Sequence, residues 1–328
     1  MFHSEFIYRL SSNKNKIVLW FPGANDTFYH QEQINKGLFK DYDIFIFHPL
    51  DYHPCDPNNE TNPPGHITEN FYIYFSSINN SFETNQLMDY KEIIIYSHST
   101  GCLLSIEYAL YGKYKNFISK IIFDDPFLDY NQPNLVKKFF QKNPLLNPIA
   151  WKYHNLIFTY NMKSLLSKNN NSKIKIHQKN IGYNLPFIFE NNDYTAFTMA
   201  CSRTQNIIQN AKKPLLQIPC LILIAGDNKT LIEKDIRKYS YNISNYIEIK
   251  TIQNAYHSCL LPDNKNDLEK IINLINNFLY QCNVDISREI NNNEPQIIEY
   301  HNKFSFIPTI FIYGFFSFFL YKIINIIL

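Results

Sequence analysis

Five short, unbroken apolar runs set the strongest limit on how this chain folds: residues 16–21 (KIVLWF), 43–48 (DIFIFH), 92–96 (EIIIY), 118–123 (ISKIIF) and 220–225 (CLILIA). A half-exposed strand alternates apolar with polar residues, whereas a strand covered on both faces of a parallel sheet reads as continuous apolar sequence. A sixth run, 246–253 (YIEIKTIQ), alternates more and reads as a later strand. Helical stretches fall at 100–111, 231–241 and 266–282. Strands that take turns with helices make βαβ units, so an α/β fold with a mostly parallel, doubly wound sheet is expected.

One interval breaks the rhythm. Residues 129–216 separate two core strands and carry Pro133, Pro144, Pro148, Pro186 and Pro214 among short helical pieces. A structureless loop of that length does not suit a compact domain. It is read as a helical cap inserted between a first core part, 1–128, and a second, 217–284. The aromatics of this interval, Trp151 and Phe158 among them, serve ordinary packing or line an acyl pocket; both readings stay open.

Composition narrows the function classes. Hydrophobic residues make up 45%, enough apolar surface to exclude a disordered chain. Thirty-one basic against 29 acidic residues leave a formal net charge of +2, too balanced for general binding to a nucleic-acid backbone. The six cysteines (55, 102, 201, 220, 259, 282) form no CxxC pair, so reduced, partly buried thiols are expected and neither a zinc site nor a disulfide framework. No HExxH and no Gly-rich phosphate loop appears, and no metal or organic cofactor is expected.

The far end has a different character. Residues 304–328 (FSFIPTIFIYGFFSFFLYKIINIIL) contain Lys322 as their one charge and no polar stripe. As a helix, about 25 residues reach roughly 37 Å, against a hydrocarbon core of about 30 Å. The stretch is expected to be a C-terminal membrane anchor, preceded by a polar linker over 285–303. No apolar leader is seen in the first ten residues, so the expectation is a tail-anchored, membrane-associated chain with its folded part in the cytosol. A hydrophobic helix lying on a lipid surface or packed on the core is the alternative.

Chemistry is concentrated at Tyr96-Ser97-His98-Ser99-Thr100-Gly101, directly after the strand 92–96 and directly before a helix. This small-x-Ser-x-small pattern in a strand–turn–helix setting is a nucleophile elbow: the turn is crowded, so the residues two before and two after the serine must be small. Ser99 presents its hydroxyl at the C-terminal edge of the sheet, and the amide of Thr100 faces a developing oxyanion.

On these residues the sequence resembles the α/β-hydrolase superfamily, and within it the serine aminopeptidase and monoacylglycerol lipase-like branch, across roughly residues 16–280. The resemblance implies that the amide of Ala24, in Phe21-Pro22-Gly23-Ala24, completes the oxyanion hole, although Pro22 stands where the family usually has His. It implies that His257, in Asn254-Ala255-Tyr256-His257-Ser258, is the general base, while His98 supports the turn. It places the acid after residues 220–225, in Gly226-Asp227-Asn228-Lys229-Thr230. Counting along that loop lands on Lys229 or Asn228, neither of which is an anion. Asp227, their neighbour, is the leading candidate. Asp125 or Asp124, in the Asp-Asp-Pro that closes the strand 118–123, is the alternative, since some lipases of the superfamily take their acid there. A chain with no working acid is the third possibility.

The implied activity is that of a serine hydrolase acting on carboxylic esters, acylglycerols and lysophospholipids included, through Ser99, His257 and Asp227. A peptidase or thioesterase with the same triad is a second reading. A tail-anchored binding or scaffold protein on a decayed hydrolase is a third, kept open by the unsettled acid.

Overall fold

Among the described residues, seven strands form one sheet in the order β1-β3-β2-β4-β5-β6-β7: β1 Glu5–Arg9, β2 Lys16–Phe21, β3 Asp43–Phe47, β4 Glu92–His98, β5 Ile118–Asp124, β6 Cys220–Ala225 and β7 Ile247–Ile252. The computed structural model describes residues 5–9, 15–23, 30–47, 70–129, 195–228, 231–255, 257–262 and 265–281. Strands β2 to β7 are parallel, and β1 pairs antiparallel with β3 at the edge. The six apolar runs are the six parallel strands. The antiparallel β1 is an addition to the expected fold, and of the run 43–48 the structure describes 43–47 as β3.

Side-chain alternation along each strand divides the core in two. Ile17, Leu19, Phe21, Ile93 and Ile95 pack on one face with helices α2 (Phe75–Thr84), α3 (Gly101–Tyr111), α4 (Thr195–Gln209) and α5 (Glu233–Ser240). Val18, Trp20, Ile94, Tyr96 and Ile122 pack on the other with the short α1 (Gln31–Asn35) and with α6 (Lys265–Gln281). Helix α6 is amphipathic in sequence, with Leu268, Ile271, Ile272, Ile275 and Phe278 spaced by three or four residues and all buried. The sheet is thus wound on both faces. Strand order reverses at β2, with β3 on one side and β4 on the other. A crevice outside the carboxyl ends of strands at such a switch point is where open α/β sheets hold ligands.

Of the interval read as a cap, residues 130–194 lie outside the described residues. Its far part is helix α4, which covers the core: Ala200, Cys201 and Ile208 are buried with α3, and Gln205 and Gln209 donate to the carbonyls of Phe127 and Leu128 at 2.9 Å each. The linker 285–303 and the apolar run 304–328 also fall outside the described residues. Among the described residues, no helix is long and apolar enough to cross a membrane. Among the described residues, Cys102, Cys201, Cys220 and Cys259 are free and buried.

Candidate active site

Strand β4 runs into α3 through one left-handed residue. Ser99 has φ +52°, where a non-glycine side chain is held only by its surroundings. Those surroundings are specific. The Ser99 amide donates to the Asp124 carbonyl (3.0 Å), and the Ser99 carbonyl accepts from the Phe127 amide (3.2 Å). Gly101 lets α3 approach the end of β2: a Cβ there would sit 2.3 Å from the Pro22 carbonyl oxygen. Ser97, at the other small position, is fully buried, and its hydroxyl accepts from Ser105 Oγ at 3.0 Å. The hydroxyl is accommodated where glycine is usual because α3 supplies a partner for it.

The parallel pairing of β4 with β5 puts His98 opposite Asp124. The next residues, Ser99 and Asp125, leave the two strands side by side, and Asp125 also has positive φ, +50°. His257, on the loop after β7, bridges them. Its Nε2 lies 3.0 Å from Ser99 Oγ and its Nδ1 lies 2.8 Å from Asp125 Oδ2. A carboxylate only accepts, so Nδ1 carries the proton and Nε2 is left to accept from the serine hydroxyl. This arrangement has the hydrogen-bond order that activates a serine.

The leading acid candidate, Asp227, is corrected by this geometry. Its side chain is exposed, and its backbone amide donates to the Ala255 carbonyl at 2.9 Å. The carboxylate against His257 is Asp125, which is wholly buried and whose Oδ1 accepts from the Ala225 amide at 3.2 Å. Burial pushes the Asp125 carboxyl above the usual range, opposed by the hydrogen bond and charge of His257. The reason for the shift of strand is visible beside it. Asn228 stands at the end of β6, its Nδ2 3.3 Å from His257 Nδ1, and it donates to Asp125 Oδ2. The amide thus occupies the place next to the imidazole, and the charge comes from the neighbouring strand.

Asp124, the other alternative, faces the loop of His257 rather than its ring. It is buried and accepts from Tyr96 OH (2.6 Å), Ser258 Oγ (3.0 Å) and the Cys259 amide (2.9 Å). His98 holds the same loop from the other side, its Nε2 donating to the His257 carbonyl at 2.8 Å. The roles of Asp124 and His98 in fixing the base are long-range and leave no motif in the sequence. The strand-end Asp-Asp-Pro and the missing anion at 228 and 229 were the available signals for Asp125. Thr100 opens α3, whose N-terminal amides favour negative charge. Ala24, its expected partner in the oxyanion hole, lies outside the described residues. Cys102 and Cys259 lie close by, but burial pushes both thiols far above their usual range, which keeps them out of nucleophilic chemistry. Among the described residues no cluster of His, Cys, Asp and Glu has the arrangement of a metal site.

No family model matches the chain, and no curated protein matches it in sequence. Solved structures do match. A soluble variant of monoglyceride lipase from Saccharomyces cerevisiae, in complex with a substrate analogue, is 14% identical, with 87% of this chain and 96% of that chain covered and a TM-score of 0.57. The monoacylglycerol lipase of Paleococcus ferrophilus is 13% identical, with coverage of 85% and 99% and a TM-score of 0.53. MenH from S. aureus is 17% identical, with coverage of 84% and 97% and a TM-score of 0.52. These likenesses span nearly the whole of each neighbour, and they are likenesses of fold. The chain has the fold of the α/β-hydrolase superfamily.

Proposed function

We propose that the protein is a serine hydrolase that cleaves carboxylic esters. The observation that carries the reading is the continuous hydrogen-bond chain Ser99–His257–Asp125, set on a left-handed elbow at the carboxyl edge of the sheet. In this mechanism His257 Nε2 takes the proton of Ser99 as Oγ adds to the ester carbonyl. The C–O bond then breaks, the alcohol leaves with the proton held by His257, and an acyl-Ser99 remains. Water, deprotonated by the same imidazole, adds to the acyl group and releases the acid and free Ser99. Asp125 keeps the imidazole in the productive tautomer and balances its transient positive charge. The amides of Thr100 and Ala24 are proposed to receive the oxyanion. No step calls for a metal or an organic cofactor.

Acylglycerols are the favoured substrates, because two of the structural neighbours are monoacylglycerol lipases and because the apolar run 304–328 is proposed to hold the protein at a membrane. A fluorophosphonate probe tests the core of the reading. The wild-type protein should be labelled covalently and the Ser99→Ala variant should not. Equal labelling of the two would overturn Ser99 as the nucleophile.

A further inference from the structure

The turn that carries Asp125 also holds the elbow. It starts at the strained Asp125, whose amide donates to the Leu223 carbonyl at 2.8 Å. Two residues on, the Phe127 amide donates to the Ser99 carbonyl at 3.2 Å, so the turn fastens both positive-φ residues of the site. Pro126 between them has no N–H to add. The carbonyls of Phe127 and Leu128 meet Nε2 of Gln205 and of Gln209, which stand four residues apart on one face of α4. The burial of Gln205 is informative. It is 3% exposed, on the same helix as the buried Cys201 and Ile208, at a place where an apolar side chain would pack with no hydrogen bond to satisfy. A buried carboxamide costs free energy unless it is paired. The partner of Gln205 lies on the turn, whereas the bond from α4 to α3 is that of Thr204 Oγ1 to Glu107, at 2.6 Å.

We propose that Gln205 and Gln209 are positioning residues: from α4 they clamp the turn after β5 and so fix Asp125 and Ser99 on either side of His257. Neither glutamine is hydrogen-bonded to the imidazole or to the Ser99 hydroxyl, so both act through the backbone. Non-glycine residues at positive φ persist only where their neighbours over-determine them, and the two carboxamides supply such a constraint from the far side of the turn. Without the Gln205 donor the turn is freer to move. The Phe127 amide then carries the movement to the Ser99 carbonyl, and Asp125 carries it to Nδ1 of His257. The rate of a reaction held by three aligned groups falls steeply with small misplacements. The proposal deepens the hydrolase reading and rests on it for its kinetic consequence, but the proton on His257 Nδ1 reports on the clamp without any turnover.

The test compares wild type with Gln205→Met, Gln209→Met and Thr204→Val. Methionine is unbranched and of similar length to glutamine, and it removes the donor. Thr204→Val breaks a buried hydrogen bond of the same helix that reaches α3 instead of the turn, and so measures what a loosened α4 does by itself. The readouts are kcat and KM for p-nitrophenyl butyrate, the low-field 1H NMR resonance of the His257 Nδ1 proton, assigned by its loss in His257→Gln, and urea unfolding. Gln205→Met and Thr204→Val are both expected to lose stability. Gln205→Met should also lower kcat by about tenfold at unchanged KM and shift the Nδ1 resonance, whereas Thr204→Val should leave kcat within about twofold and the resonance in place. A fall in kcat below about threefold in Gln205→Met, an unmoved resonance, or equal changes in Thr204→Val would overturn the proposal. If Gln205→Met does not fold, Gln209→Met, at a half-buried position, decides: a fall in kcat of about threefold or more supports the clamp, and a smaller change overturns it. If wild type neither turns over the ester nor is labelled by a fluorophosphonate, the hydrolase reading fails and the resonance alone decides. A shift in Gln205→Met with none in Thr204→Val then supports the clamp, and any other pattern overturns it.

Discussion

At the scale of single residues, the site is an arrangement of small constraints on one imidazole. The ring of His257 is oriented by Asp125, and its backbone is held by His98 at the carbonyl and by Asp124 through Ser258 and Cys259. His98→Ala removes the carbonyl's donor without touching substrate. Its expected effect is a fall in kcat of about tenfold at unchanged KM, measured in steady-state hydrolysis of a short-chain ester, since a loosened base spends less time aligned. Asp227→Asn, by contrast, should change that rate less than about twofold, because the Asp227 side chain is exposed. A loss comparable with that of Asp125→Asn would return the acid to the loop after β6. The places of Ser99 and His257 in the hydrogen-bonded chain were legible in the sequence, because an elbow and a post-strand histidine are local patterns. The acid was not. Its identity depends on the register of β4 against β5 and on the length of the loop after β6, neither of which a count along the chain can supply.

At the scale of elements, the parallel strands were legible because burial on both faces leaves unbroken apolar runs. Strand β1, five residues ending in Glu5 and Arg9, carries no such run, and its antiparallel place beside β3 is a matter of tertiary pairing. The packing of α4 on α3 was equally hidden, and it encloses an acid unrelated to the triad. Glu107 of α3 is fully buried, accepts from Thr204 Oγ1 of α4 at 2.6 Å, and its Oε2 has no hydrogen-bond partner among the described residues. Burial pushes its carboxyl up to about 7, against the opposing pulls of Thr204 and Arg203. In the unfolded chain a Glu titrates near 4.3. The folded protein therefore holds a proton that the unfolded chain releases. The stabilisation is fully present below that unfolded value and is lost as pH rises through about 7. Glu107→Gln should remove this loss. Urea unfolding at pH 5 and pH 8 should show the variant gaining on wild type by an amount on the order of 3 kcal/mol between the two. An equal pH dependence in both proteins would show that Glu107 does not titrate in this range.

At the scale of the whole molecule, α6 is the last element among the described residues, and every group assigned to the site lies before its end at Gln281. A chain ending at residue 303 is therefore expected to fold and to react with the serine probe as the full chain does. The full chain should sediment with membranes and resist carbonate extraction, through residues 304–328. Release of the full chain by carbonate would refute the proposed anchor, and failure of the shortened chain to fold would tie the apolar run to the core. The long reach of His257 has a further consequence. Ser99 and Asp125 belong to adjacent strands made early in the chain, whereas the imidazole that joins them lies 158 and 132 residues further on. Translation runs from the N-terminus, so a growing polypeptide holds its serine and its carboxylate well before the base between them has been synthesised. On the proposed mechanism, Ser99 lacks its imidazole acceptor until the loop after β7 has emerged from the ribosome, so hydrolysis waits for synthesis to pass that loop.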